Sequence, residues 1–317
     1  RDLADGADKD ITGTLTTDGL TVAGNVSVDG GTIKLDGNYP TGTENVAVGD
    51  TALDSVESGG QYNVAVGSKA GTAITSGDQN VAVGAYSLDA TTTGGNNTAV
   101  GKSALGANTT ASNNTAVGTD ALLANTTGAE NVAVGSGALD ANTEGDDNTS
   151  LGYRALGANT TANNNTAVGS DAMLSNTTGT ANVALGAFAL DANTTASNNT
   201  AVGYQSLTTN TIGTNNAGHG YRALYLNTEG SNNTALGAET LAANTTGANN
   251  VAVGTYALDA NTTASIETGL GYGNQKFSYN KDNYTTQGNN KVNEKNSFET
   301  KGLFIPINAS LKTAITP

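Results

Sequence analysis

The sequence predicts an all-β chain, a parallel β-roll or β-helix solenoid of 17-residue coils, fibrous and self-associating. Three observations point there. The first is a repeat, Asn-(Thr/Val)-Ala-(Val/Leu)-Gly, with coil starts at Asn45, Asn63, Asn80, Asn97, Asn114, Asn131, Asn148, Asn165, Asn182, Asn199, Asn216, Asn233, Asn250 and Glu267. After one step of 18 residues every later step is 17, and such self-similarity is the mark of a stacked-repeat architecture. The second is composition: 42 Gly, four Phe, one Met and no Trp among 317 residues suit thin layers rather than a broad core. The third is segment length. Runs such as Lys102 to Ala107, between the repeating Gly and the Asn-Thr-Thr sets, are too short for stable helices, and Val and Thr favour extended chain.

The fifth register is Gly in every coil, from Gly49 to Gly271, as expected where the chain turns with positive φ or packs backbone on backbone. The fourth carries Val or Leu in thirteen coils, among them Val100, Val117, Val134 and Val168. The ninth carries a second apolar column, among them Leu105, Leu122, Leu139 and Leu156. Both columns are expected to line one thin core. Rungs about 4.8 Å apart would make a rod of roughly 65 Å. Repeated Asn at the first register, and sets such as Asn108-Thr109-Thr110 and Asn244-Thr245-Thr246, should bond from rung to rung. They read as glycosylation sequons, but their place in a ladder makes them structural. Asn97 to Asp147 closely matches Asn148 to Asn198, so a three-coil block of 51 residues recurs within the shaft.

Ala holds the middle strand position in most coils. Strand alternation places it opposite the Val/Leu column. The expectation is a flat, lightly apolar Ala face along the rod, and contiguous apolar surface marks an interface. Self-association as a homotrimer with the rods side by side is therefore predicted.

Three segments follow. Residues 1–44 contain short alternating stretches such as Leu20-Thr21-Val22 and Thr32-Ile33-Lys34-Leu35 between Asp-Gly and Gly-Gly turns, read as a β-rich stem or connector. Residues 45–271 are the repeat shaft. Residues 272–317 break the repeat and gather aromatics among six Lys, as a cap or tip would.

The net charge is −15, and the shaft holds four basic against seventeen acidic residues. So acidic a body repels phosphate backbones, and no nucleic acid partner is expected. No apolar run of 18 residues occurs, so no membrane insertion is expected. Cysteine is absent, which excludes disulfides and thiolate metal clusters.

The run Asn249-Asn250-Val251-Ala252-Val253-Gly254 resembles the Asn-Ser-Val-Ala-Ile-Gly repeat of the left-handed β-roll heads of trimeric autotransporter adhesins. The whole pattern, with its preamble Ile11-Thr12-Gly13-Thr14-Leu15-Thr16-Thr17-Asp18-Gly19-Leu20-Thr21-Val22, is more similar to tail fibres of tailed bacteriophages. That resemblance implies an elongated homotrimer on the virion tail, in contact with other tail proteins and with a host surface glycan or protein receptor. The adhesin resemblance implies instead a bacterial cell-surface location. Neither the heptads of a stalk nor the strands of an anchoring barrel follow the repeat, and the coil is longer than the adhesin one. The phage resemblance accommodates both departures.

No catalytic set is expected: with one His and no Cys the residues for nucleophilic or His-rich metal chemistry are missing, and no cofactor is implied. The single His219 falls in the Val/Leu column, where three copies around an axis could converge on an ion. Receptor-contact candidates are Tyr153, Arg154, Tyr204, Tyr221 and Arg222, just after the repeating Gly, with Tyr279 and Tyr284 in the C-terminal segment. Aromatic faces beside polar groups suit sugar stacking, whereas turn aromatics also simply cover coil edges. Stacked Thr pairs raise ice binding as a third class, against which Glu144 and Ile212 interrupt the register.

Overall fold

Each coil supplies one three-residue strand, and the strands lie over one another in strict sequence order. The computed structural model describes residues 44–273 except Ser58, with the backbone of Phe277–Ser278. The strands are β1 (Val46–Val48), β2 (Val64–Val66), β3 (Val81–Val83), β4 (Thr98–Val100), β5 (Thr115–Val117), β6 (Val132–Val134) and β7 (Thr149–Leu151). They continue as β8 (Thr166–Val168), β9 (Val183–Leu185), β10 (Thr200–Val202), β11 (Ala217–His219), β12 (Thr234–Leu236), β13 (Val251–Val253) and β14 (Glu267–Leu270). All pair in parallel with their sequence neighbours, register on register, as Ala116 on Ala133 and Val117 on Val134. A last strand, β15 (Phe277–Ser278), pairs antiparallel with β14. The chain is thus a parallel β-solenoid with 17-residue coils, and no helix occurs among the described residues. The stem expected over 1–44, apart from Glu44, and most of the cap expected over 272–317 lie outside the described residues.

The strand orientation corrects the expected core. Ala at the third register is the buried strand residue, with Ala65, Ala99, Ala116, Ala133 and Ala167 fully inaccessible. Val100, Val117, Val134 and Val168 are only half-buried and point outward, and Leu151, Leu185 and Leu236 in the same column are exposed. The exposed face is therefore the Thr/Val and Val/Leu face, and no Ala face is open to solvent. The reason is width. A Cβ built on Gly269, at the Ala register, would lie 2.6 Å from Leu258 Cγ, so the third register meets the ninth directly across the coil. Leu105, Leu122, Leu139 and Leu156 already fill that space, each wholly buried, and only small side chains fit against them, Ala in most coils and Ser150, its hydroxyl bonded to the Ala155 carbonyl, in β7.

Local exchanges keep this fit. Where Ser206 stands at the usual Ala of the eighth register, the facing strand has Gly218, whose Cβ would come within 2.7 Å of the Ser206 hydroxyl. Where Gly71 interrupts the Leu column, buried Ile74 occupies the vacated volume. The Leu residues adopt left-handed backbone, φ 51° at Leu105 and 54° at Leu139. This costs roughly 1–2 kcal/mol each, offset by burial of a Leu side chain at about 1.5–3 kcal/mol. Gly at the fifth register is obligatory on two grounds. At Gly118 φ is 137°, and a Cβ would sit 2.5 Å from the Gly135 carbonyl oxygen on the next rung.

Two buried Asn columns and one Thr column tie the rungs. Asn131 N–H donates to Asn114 Oδ1 at 2.9 Å, and Asn148 N–H to Asn131 Oδ1 at 3.0 Å. In the second column Asn142 Nδ2 donates to Asn125 Oδ1 at 2.9 Å. Both columns converge on one carbonyl, that of Gly145, which accepts from Asn131 Nδ2 at 2.7 Å and Asn142 Nδ2 at 3.0 Å. Thr109, Thr126 and Thr143 each donate a hydroxyl to the carbonyl one coil on. In the first two coils the second column is apolar, with Val56 and Ile74 at the Asn register.

Two expected outcomes follow from this packing. Asn131→Ala orphans the buried Asn148 N–H and should destabilise the solenoid by about 2–3 kcal/mol. Exposed Thr110→Ala should stay within about 0.5 kcal/mol. Urea denaturation of the two variants measures both. Ala133→Leu should overpack the coil at a cost of about 1–3 kcal/mol, whereas enlarging its neighbour by Val134→Leu on the outer face should be near neutral. Equal losses for that pair in thermal unfolding would contradict the inward placement of Ala.

Candidate functional site

Most registers of the coil are occupied by one residue type for structural reasons, so chemical variety is confined to few places. The sixth and seventh registers, directly after the turning Gly, hold all four basic residues of the shaft: Lys69, Lys102, Arg154 and Arg222. Six of the eight aromatics between residues 45 and 271 share these registers: Tyr86, Tyr153, Phe188, Tyr204, Tyr221 and Tyr256. The coil stacks them along one edge. There the seventh-register residue takes left-handed backbone, with φ 51° at Arg154 and at Arg222, and this aims its side chain out of the turn.

The predicted contact residues divide into two groups on this edge. Tyr204 and Tyr221 stack on each other at 5.9 Å with planes 9° apart, and Phe188 meets Tyr204 edge-on at 6.0 Å. Arg222 lies 5.2 Å from the Tyr221 ring and 4.9 Å from the Tyr225 ring, and its Nε donates to Gln205 Oε1 at 2.8 Å. Ring faces here are engaged by neighbouring side chains, which makes the cluster a longitudinal stitch between coils. Tyr153 and Arg154 stand apart from it. Tyr153 is 55% exposed, and its ring joins no ring pair among the described residues. Tyr279 and Tyr284 lie outside the described residues.

The tenth register, on the same edge, was missed by sequence reasoning. It reads Asp89, Gly106, Leu123, then Asp140, Gly157, Leu174, then Asp191, Thr208, Tyr225, following the 51-residue block. Asp140, Arg154, Gly157, Ala158, Leu174 and Ser175 line a shallow recess of about 390 Å³. Burial pushes the Asp89, Asp140 and Asp191 carboxyls above the ordinary value of 3.8. Backbone hydrogen bonds, with Lys69 at Asp89 and Arg154 at Asp140, oppose that effect without cancelling it. The 17-residue period was the available signal, since it places Asp89, Asp140 and Asp191 at the same register three coils apart.

His219 is exposed on β11 between Val202 and Leu236 of the adjoining strands. Among the described residues no three His, Cys, Asp or Glu are grouped to hold a metal ion. The outer face of the sheet is otherwise free of ionisable groups. From β1 to β13, both outward columns hold only Val, Thr, Leu and Ala apart from His219. The Asn of the buried Asn-Thr-Thr sets, such as Asn108, Asn159 and Asn193, are wholly inaccessible, consistent with their ladder role.

No family model matches the chain, and no curated protein matches it. Its functional reading accordingly rests on geometry and on the sequence resemblance.

The raised carboxyls have a measurable consequence. A group whose folded pKa is raised makes the folded chain bind protons before the unfolded one, so stability from that group increases as pH falls through the raised value. The gain ends once pH passes below the unfolded value near 3.8. Melting temperature should therefore rise as pH is lowered from 7 toward that value. In the triple variant Asp89→Asn, Asp140→Asn, Asp191→Asn the rise should shrink, and an unchanged pH response by circular dichroism would discount these groups.

Proposed function

We propose that this chain is a structural fibre protein of a tailed phage virion, assembled as a homotrimer and acting in host-cell attachment without catalysis. One observation carries the reading. In a shaft with four basic and seventeen acidic residues, the outward columns of thirteen consecutive strands contain no acid and no base except His219. Like-charged rods repel over most of their surface, and this long uncharged stripe, with its continuous Val/Leu column, is where copies can meet without burying unpaired charge. Leu151, Leu185, Leu236 and Val48 are 46–51% exposed on it. In three copies packed side by side the stripe faces a common axis, leaving the edge with Tyr153, Arg154 and Arg222 outward for a host glycan or protein receptor. Stiffness supports the same role: every rung is bonded to the next by backbone, Asn and Thr columns. Other virion tail proteins would hold the two ends.

The alternative reading, a head domain of a bacterial trimeric adhesin at the cell surface, draws on Asn250-Val251-Ala252-Val253-Gly254 and on the same stripe. Antibody to the repeat separates the two: labelling of virion tails supports the phage fibre, labelling of cells free of phage the adhesin. Ice binding draws less support, because the exposed Thr column containing Thr110 and Thr127 is broken by Glu144, Ile212 and Glu229.

Light scattering coupled to size exclusion should give three copies for the intact chain. Leu151→Glu with Leu185→Glu should weaken association at least a hundredfold while circular dichroism stays unchanged. A monomeric intact chain would remove the trimer.

A further inference from the structure

Within the attachment reading above, we propose that the Gly157 recess is a binding subsite for one hydroxyl-rich sugar unit of a surface glycan. Asp140 and Arg154 place a half-buried carboxylate and an exposed guanidinium on its wall, Ser175 adds a hydroxyl, and Leu174 and Ala158 add an apolar side. Its floor exists because register ten is Gly in this coil. A Cβ there would lie 3.2 Å from Leu174 Cδ1 and 3.3 Å from Asp140 Oδ1. Three coils further on the equivalent position is Thr208, beside Asp191, and the notch is occupied by its side chain. In the first copy the notch at Gly106 is retained, but Ser103 replaces the cation.

Elimination identifies the ligand class. An anion would meet Asp140 and, on the preceding rungs, Asp120, within a chain of net charge −15. A cation would meet Arg154. An apolar group would cover a carboxylate already short of solvent and leave it unpaired. A hydroxyl both donates and accepts, so adjacent hydroxyls satisfy the carboxylate and the guanidinium together. Carbon–hydrogen edges of the same ring can then rest on Leu174 and on exposed Tyr153, the next residue to Arg154. A volume of about 390 Å³ is at the small end of the range for small-molecule sites, about 300–1,000 Å³. A single sugar unit fits it, and its open side lets the rest of a polymer continue along the rod.

The test applies the intact chain to an array of oligosaccharides containing glucose, galactose, mannose, their N-acetylated amines and uronic acids. Binding of the strongest neutral sugar is then quantified by calorimetry. Gly157→Leu fills the recess with a side chain that the same register already holds at Leu123 and Leu174, and Asp140→Asn removes the charge alone. Both should lower affinity for a neutral sugar at least tenfold with an unchanged far-ultraviolet circular dichroism spectrum, and Gly106→Leu should leave it intact. Unchanged binding in both recess variants, binding of uronic acids alone, or no saccharide bound at all would overturn the subsite. Attachment is read separately, by adsorption of labelled intact chain to cells. If the chain adsorbs but Gly157→Leu adsorbs equally, the subsite fails and the attachment reading stands. If the chain does not adsorb to any cell, attachment fails whatever the array gives.

Discussion

Rung-on-rung registration at the first Asn is the constraint from which the rest of the architecture follows. Each Asn accepts a backbone N–H from the next coil with Oδ1, as Asn131 does from Asn148 at 3.0 Å, and donates Nδ2 to the carbonyl that closes its own coil, as to Gly145 at 2.7 Å. A slip by one residue would orphan both groups in every coil, and a buried polar group without a partner costs about 1–3 kcal/mol. Because the penalty repeats at each rung, the stack is specified far more strongly than three-residue strands could specify it. The second Asn column, which shares that carbonyl, and the Thr hydroxyls beside it reinforce the same spacing.

Registration at that scale leaves little freedom for the interior. The third and ninth registers face each other across a narrow section, so the pair is one small and one large residue, Ala against Leu. Departures are compensated nearby, as with Ser206 and Gly218, or Gly71 and Ile74. The backbone accepts left-handed Leu to keep that contact. The outcome is a core of close-packed Ala and Leu along the described coils. Binding chemistry therefore sits at the surface, in turns whose geometry is held by the registers around them.

Surface chemistry divides accordingly. The sheet face is built of Val, Leu, Thr and Ala and carries His219 as its one ionisable group in β1–β13, which suits contact between like-charged copies. The turn edge gathers cations, aromatics and half-buried carboxylates, and its side chains vary from coil to coil. Within that edge, the engaged rings of Phe188, Tyr204 and Tyr221 act as local bracing, while the Tyr153 neighbourhood leaves ring and guanidinium exposed. One coil thus serves two surfaces with opposite demands, uniformity for assembly and variety for recognition.

Coil boundaries, the parallel stack, the obligatory Gly and the Asn and Thr columns were determined by the sequence alone, because a fixed period forces equivalent residues to meet their own kind. The same period was silent on which side of a strand faces inward. Alternation separates Ala116 from Thr115 and Val117, but both assignments satisfy it, and hydrophobicity favoured the wrong one. Only the tertiary structure decided that, through the distance across the coil to the Leu column, where a Val has no room. It likewise shaped the recess around Asp140, Arg154 and Gly157: the period stacks Asp140 on Gly157, but which side chains open a notch there depends on the packing of Leu174 and Arg154.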